Sequence, residues 1–303
     1  MSEQHGDAGK PVDRGRVVLV TGAGKGLGAA FALACAARGM KLVVNNRVRP
    51  GQPDSAAATV AAIRAAGGDA VADRHAVETC GAAAAMVAAA ISAFGRLDAV
   101  ILNAGISGDA AKVAALDPAE LRRVMDINFF AAAALAQAAL PHLLASEAGR
   151  LVFISSSAGL HGVRGRSPYA ASKAAVNGFA LTLADEVRRT SLRVNVLCPY
   201  AATAMTAGEE AAGDPRLTPA NAASLAQHLV SRDCTRHGQI YLAGAGYARR
   251  ARMVESAGAA IGDLAAVEAM DDPREFIGAE AGFADFIACA TRARALYQET
   301  PCA

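Results

Sequence analysis

The chain is predicted to fold as an α/β domain with a doubly wound parallel sheet. Three observations carry that expectation. Seven short apolar runs alternate with helical stretches between residues 17 and 242. Strands covered on both faces read as continuous apolar runs, so these suit a parallel sheet. The first run leads into Thr21-Gly22-Ala23-Gly24-Lys25-Gly26-Leu27-Gly28, and an alanine-rich stretch follows. That order is strand, glycine turn, helix, which brings backbone N–H groups and a helix N-terminus up to a diphosphate. Helix starts are also marked: Asp117-Pro118 and Thr218-Pro219 each place a capping residue before a first-turn proline.

The expected strands are Val17–Val20, Leu42–Val44, Ala70–Ala72, Ala99–Leu102, Leu151–Ile154, Val194–Leu197 and Ile240–Leu242. The expected helices are Gly26–Arg38, Ser55–Ala66, Thr79–Phe94, Pro118–Ala145, Tyr169–Arg189 and Pro219–Val230. Strand and helix in alternation require right-handed crossovers and put helices on both faces of the sheet. The sixth run stops at Cys198-Pro199-Tyr200, where proline ends the ladder. Residues 200–217 read as a solvated loop. The domain is expected to span 16–246, after a flexible head of residues 1–15. A helical extension, 247–303, is expected to pack on it. Phe283, Phe286, Ile287 and Ala290 recur there at helical spacing, which leaves an apolar face to bury.

A chain of 303 residues can bury the core of one large domain. The formal net charge of +2 argues against a nucleic-acid partner. No uninterrupted apolar run reaches the roughly 20 residues of a membrane span, and the head lacks the apolar centre of a secretory signal. No membrane partner is therefore expected. The six cysteines form no C-x-x-C pair and no Cys/His cluster with zinc spacing, so no metal site is expected. They read as free thiols of a cytoplasmic protein.

A second segment agrees with the glycine turn. It reads Ser156-Ser157-Ala158-Gly159 and then Tyr169-Ala170-Ala171-Ser172-Lys173. Tyr169 and Lys173, four residues apart, lie on one helix face. A free tyrosine titrates near ~10, and a cation one turn away favours its phenolate. Together the two segments resemble the short-chain dehydrogenase/reductase family, over most of the chain. The resemblance implies a Rossmann-type fold of seven strands, a nicotinamide cofactor, and hydride transfer to or from a secondary alcohol or ketone. It implies a small-molecule substrate and assembly as a homodimer or homotetramer.

Residue roles are carried over position by position. Tyr169 is the implied proton donor in reduction and base in oxidation. Lys173 also binds the nicotinamide ribose. Ser156, at the family's interval before Tyr169, holds the substrate carbonyl; Ser155 and Ser157 are its rivals. Asn128, in Met125-Asp126-Ile127-Asn128, bends its helix and supports a water linked to the lysine. Gly22, Lys25, Gly26, Leu27 and Gly28 border the cofactor in the glycine turn. Asn103, Ala104 and Gly105 line it after the fourth strand, with Leu102 replacing the family's first asparagine. Pro199 and Thr203 are placed at the nicotinamide end, and Tyr200 stands where the family has glycine.

The end of the second strand bears on the choice of cofactor. NAD enzymes place a carboxylate there, which accepts hydrogen bonds from the adenosine ribose and repels a 2′-phosphate. This chain has neutral Asn46, then Arg47, whose fork can grip a phosphate. Lys25 adds charge on the same side, and no acid is expected to oppose them. NADP(H) is the expected cofactor, with NAD(H) the second choice. Val17–Gly24, Ala204-Met205-Thr206 and Gly244-Ala245-Gly246-Tyr247 resemble the family's (3R)-hydroxyacyl-CoA dehydrogenase branch, found in type 2 multifunctional enzymes. That suggests a 3-hydroxyacyl or 3-oxoacyl thioester. The alternatives are a bulky cyclic, steroid or polyketide-like ketone, and a non-catalytic NADP-binding module. Retention of Asn128, Ser156, Tyr169 and Lys173 together favours an enzyme.

Overall fold

Eight strands form the main sheet of the computed structural model, which describes residues 13–201 and 217–256 and the backbone of 274–275. In chain order they are β1 (Val17–Val20), β2 (Lys41–Asn45), β3 (Ala70–Asp73), β4 (Ala99–Leu102), β5 (Arg150–Ile154), β6 (Arg193–Pro199), β7 (Gln239–Gly244) and β8 (Tyr247–Ala251). Their spatial order is β3-β2-β1-β4-β5-β6-β7-β8. Neighbours from β3 to β7 run parallel. All seven expected runs are strands, within two residues of the expected ends. The strand order reverses between β1 and β4. In such sheets ligands bind in the crevice beyond the carboxyl ends of the strands at that switch point.

Helices cover both faces: α1 (Gly26–Ala37), α2 (Ser55–Ala65), α3 (Ala82–Phe94), α4 (Pro118–Met125), α5 (Ala131–Ala145), α6 (Ala158–His161), α7 (Ser167–Glu186) and α8 (Pro219–Leu229). Alternate strand residues divide between the faces, because side chains flip at each step. Val18 and Val20 of β1, and Leu42 and Val44 of β2, share one core with Phe31 of α1, Ile63 of α2 and Leu229 of α8. On the other face α5 packs against α3, α7 and β4. Every residue of β1, β4 and β5 is buried, the signature of a sheet covered on both sides.

Three expectations are corrected. First, residues 247–251 form an eighth strand, not the start of a helical extension. Ala245 and Gly246 have φ of 52° and 74°. Two such residues make a tight hairpin turn, which joins only antiparallel neighbours. Beyond it, β9 (Val254–Glu255) pairs antiparallel with β10 (Arg274–Glu275) in a separate ribbon. The rest of the expected extension, Phe283 to Ala290 included, lies outside the described residues. Second, the helix spans 118–145 as expected but is not α-helical throughout. Residues Asp126–Phe130 form a π-turn between α4 and α5, an insertion that is rare and re-aims side chains. By length and composition this 28-residue stretch is apolar enough to cross a membrane, although charged residues near its start break the apolar run. Here its apolar face packs against the sheet and neighbouring helices. Third, the polar head does not extend to Gly15. Asp13 is buried, pairs with Arg38 at 2.7 Å and accepts a hydrogen bond from Arg232 N at 2.8 Å.

A buried carboxylate ties the amino ends of the strands together. Asp98, just before β4, accepts from Val17 N (2.9 Å), from both Nε and Nη2 of Arg96 (2.8 and 2.7 Å) and from Ser146 Oγ (2.7 Å). Burial pushes its carboxyl up, but these donors outweigh burial and hold it below the usual range. Such a group adds stability above the unfolded carboxylate pKa, near ~3.9, and loses it as pH falls towards the lower folded value. Asp98→Ala is expected to cost about 3 kcal/mol, since it strands a buried N–H and a hydroxyl. In urea titrations the gap between wild type and variant should narrow, without closing, as pH falls below ~4.

Candidate active site

The strand ends at the switch point open into a cavity of about 950 Å³. Its first wall is the glycine turn between β1 and α1. Thr21 Oγ1 accepts from Asn103 N (2.9 Å) and Ala104 N (3.0 Å), while Asn103 Nδ2 donates to Thr21 O (2.8 Å). The loops after β1 and β4 are therefore stitched together. Gly22 and Gly26 have φ of 64° and 58°, where a side chain is strained. A Cβ on Gly28 would collide with Gly22 O. Gly22, Lys25, Gly26, Leu27 and Gly28 all line the cavity, as do Asn103, Ala104 and Gly105. The turn exposes backbone at the N-terminus of α1, whose first turn holds no acid. This cradle suits the diphosphate of a dinucleotide.

The second wall follows β2. Asn45 is buried, donating to Asp73 Oδ1 (2.6 Å) and His75 O (2.9 Å). Asn46 lines the cavity and donates to Ser55 Oγ at 2.7 Å. Arg47 lines it too, but the expectation of no opposing acid is corrected. Glu78, from the loop after β3, holds Arg47 Nη1 at 2.7 Å. The two residues are 31 apart in sequence, so only the fold reveals the pair. A partly exposed pair of this kind contributes about 1 kcal/mol or less, so Arg47 can turn to another anion. Arg49, Gln52 and Ser55 also line this wall and were not anticipated. Arg49, two residues beyond Arg47, was the one legible signal among them.

The third wall holds the residues expected to carry the chemistry. Helix α7 presents Tyr169 and Lys173, and Ser156 follows β5; all three line the cavity. The close approach of α6 to α7 sets their spacing. A Cβ on Gly159 would sit 2.6 Å from the Lys173 backbone carbon. The Ser156 hydroxyl accepts from Ala158 N at 3.2 Å and lies near enough to the Tyr169 phenol to pull its titration down. Its rival Ser155 is committed elsewhere, donating to Lys173 O at 3.0 Å. Lys173 is buried, donates to Ile154 O at 2.7 Å, and lies 5.8 Å from the Tyr169 ring centroid. Burial pushes its ammonium down to about 8. The Tyr169 phenol is raised, not lowered: burial dominates, and the Ser156 hydroxyl only partly opposes it. The expected depression by Lys173 is not seen here, where burial decides the direction.

Asn128 stands behind this wall. The π-turn buries it, so that Oδ1 accepts from Ile106 N (2.8 Å) and Nδ2 donates to Ile106 O (2.9 Å) and Ser172 Oγ (3.0 Å). Ser172 Oγ in turn donates to Tyr169 O at 2.8 Å. A Cβ on Gly105 would approach both Asn128 Oδ1 (3.2 Å) and Lys173 Nζ (3.5 Å), so the missing side chain lets these groups converge. Pro199 lines the cavity at the end of β6. Thr203 lies outside the described residues.

Comparison with known proteins agrees with this geometry. A family model for short chain dehydrogenases matches residues 16–213. The chain is 35% identical over 267 residues to peroxisomal multifunctional enzyme type 2 of Drosophila melanogaster, covering 86% of this chain and 43% of that protein. It is 37% identical over 193 residues to the 3-oxoacyl-[acyl-carrier-protein] reductase of Synechocystis, covering 63% and 76%. A crystal structure of a short chain dehydrogenase from Mycobacterium avium matches with a TM-score of 0.76 at 32% identity, covering 88% of this chain and 100% of that one. The chain spans less than half the length of the Drosophila relative. From its fold, its cavity and these matches, the chain belongs to the short-chain dehydrogenase/reductase family of oxidoreductases, which bind nicotinamide cofactors and act on CH–OH groups of small molecules.

Proposed function

We propose that this protein interconverts 3-hydroxyacyl and 3-oxoacyl thioesters with NADP(H) as the preferred cofactor. The observation that carries the chemistry is the pairing of Tyr169 with Ser156 beside buried Lys173, at the carboxyl ends of the switch-point strands. The thioester is supported by the names of the relatives, a peroxisomal multifunctional enzyme and a 3-oxoacyl carrier-protein reductase. Assembly as a homodimer or homotetramer belongs to the same reading.

A bound nicotinamide supplies or takes the hydride. The chain's own residues hold the substrate and move the proton. Ser156 Oγ holds the substrate oxygen beside the phenol. Tyr169 gives its proton to that oxygen in reduction and removes it in oxidation. The raised phenol keeps its proton until charge develops on the substrate oxygen. Lys173 then stabilises the phenolate through its positive charge. An ammonium has three donors and Ile154 O takes one, leaving others for ribose hydroxyls. Asn128 holds the Ile106 backbone on one side and Ser172 on the other, and so fixes the helix that bears Tyr169.

The preference for NADP(H) rests on the second wall. Asn46 carries no charge to repel a 2′-phosphate, and Arg47, Arg49 and Lys25 line the same cavity. Binding there exchanges the Arg47–Glu78 pair for a phosphate contact that is charge-assisted in the same way, with Arg49 and Lys25 lining the same cavity.

Tyr169→Phe is expected to lower kcat by about 100-fold or more while leaving cofactor binding nearly intact. The assay is a panel of 3-oxoacyl thioesters, cyclic ketones and steroid ketones, read by nicotinamide absorbance. The best turnover by wild type should fall on the thioesters; preference for a cyclic or steroid ketone would overturn the substrate. Retained turnover in Tyr169→Phe would overturn the proton donor. Wild type should show the higher kcat/KM with NADPH, and Asn46→Asp/Arg47→Leu should reverse that preference. A wild-type preference for NADH, or a double variant still selective for NADPH, refutes the cofactor assignment.

A further inference from the structure

We propose that Arg166 is a positioning residue that sets one wall of the substrate site against Tyr169. The proposal rests on the reading of Tyr169 as proton donor, given above. The wall is the irregular loop after β4. Ile106, Ser107, Gly108 and Asp109 line the same cavity as Ser156 and Tyr169. No helix or strand holds these residues, so side chains and single backbone contacts must do so.

Each tie to this loop comes from a different element. Asn128 of the π-turn grips Ile106 at both its N–H and its carbonyl. Glu120 of α4 accepts from Asp109 N at 2.8 Å, and Arg123 clamps the same carboxylate twice at 2.7 Å. Gly108, at φ 68°, is pressed close: a Cβ there would lie 2.7 Å from both Glu120 Oε1 and Val124 Cγ2. These contacts fix the loop to α4 and the π-turn. Near Ile106, Asn128 also reaches Ser172 of the helix that carries Tyr169, but none of these contacts ties the Gly108 end of the loop to that helix.

That link comes from the segment entering α7. Arg166 Nη1 donates to Gly108 O at 2.6 Å, and Ala111 N donates to Gly165 O at 3.0 Å. Ala111 and Arg166 form a single parallel bridge. Arg166 is the N-cap residue of α7, three positions before Tyr169. It makes no ion pair among the described residues. Its guanidinium is committed to a backbone carbonyl, a short charge-assisted bond. A side chain at the root of the catalytic helix thus holds the wall at the point where its glycine bends. Loss of this contact lets the wall move relative to the phenol, and a shift of about 1 Å in such a site can cost on the order of 100-fold in rate. The cofactor walls, at the glycine turn and the end of β2, are held by other contacts and stay in place.

The test compares wild type, Arg166→Met and Arg166→Lys, each as the full chain, with NADPH and acetoacetyl-CoA. Steady-state kinetics, NADPH Kd by fluorescence and amide hydrogen exchange over residues 106–112 are measured on all three. Arg166→Met should lose about tenfold or more in kcat/KM for the thioester, with NADPH Kd unchanged and faster exchange at Asp109 and Ala111. Arg166→Lys keeps a cation without the fork and should fall between the two. Wild-type kcat/KM in Arg166→Met overturns the inference, as does an NADPH affinity that falls in step with kcat/KM. Should Arg166→Met fail to fold, Arg166→Lys is judged by the same outcomes. If wild type does not reduce acetoacetyl-CoA, the substrate reading fails by itself. Exchange and NADPH binding then decide the role of Arg166, and unchanged exchange overturns it.

Discussion

The site depends on one junction, where Thr21 and Asn103 tie the loop after β1 to the loop after β4. Parallel strands leave their carboxyl ends without partners, and at the switch point two loops diverge from adjacent strands. Left alone, each would move independently over the sheet. Thr21 Oγ1 takes two backbone N–H groups of the second loop, and Asn103 returns a bond to the first. The glycine turn and the Ala104-Gly105 wall become one surface. Gly105 then leaves the gap into which Asn128 and Lys173 both reach. The glycine turn, Lys173 and Asn128 therefore meet around one stitched surface, with Lys173 held by Ile154 O and Asn128 by Ile106 and Ser172.

Burial governs the titratable groups of the third wall in opposite ways. It disfavours charge, so it raises the Tyr169 phenol and lowers the Lys173 ammonium. Both groups are thereby drawn towards neutrality, and their interaction in this state is modest. A phenol with a raised pKa holds its proton firmly. A lysine brought to about 8 sits near the pH where its charge changes. Such poised groups are common where proton transfer is carried out. The Ser156 hydroxyl works against burial at the phenol.

The second wall balances opposed charges instead. Glu78 neutralises part of the field of Arg47, while Arg49 and Lys25 keep the wall basic. In the proposed preference for NADP(H), the choice between phosphate and hydroxyl comes from a small difference of energies, and Asn46 contributes by omission, since its amide bonds Ser55 and offers no negative charge.

The sequence by itself determined the strands, most of the helices and the chemical types at the site. Those features are local: apolar runs, a glycine turn, proline-marked helix starts, and Tyr169 and Lys173 one turn apart. It was silent where long-range geometry decides. The hairpin at Ala245-Gly246 creates β8 from a segment read as helix, because two left-handed residues, one of them an alanine, are not visible as letters. The π-turn at Asn128 has no propensity signature, since its extra residue is held by bonds to Ile106 and Ser172. The Arg47–Glu78 pair joins loops after two strands, and the Arg166–Gly108 contact joins residues 58 apart. The family's interval already points to Ser156 over Ser155, and the packing is consistent with it: Ser155 donates to the Lys173 backbone, while the Ser156 hydroxyl acts on the Tyr169 phenol. Local pattern specifies which groups are present; the tertiary fold alone sets their separations, their burial and so their charge.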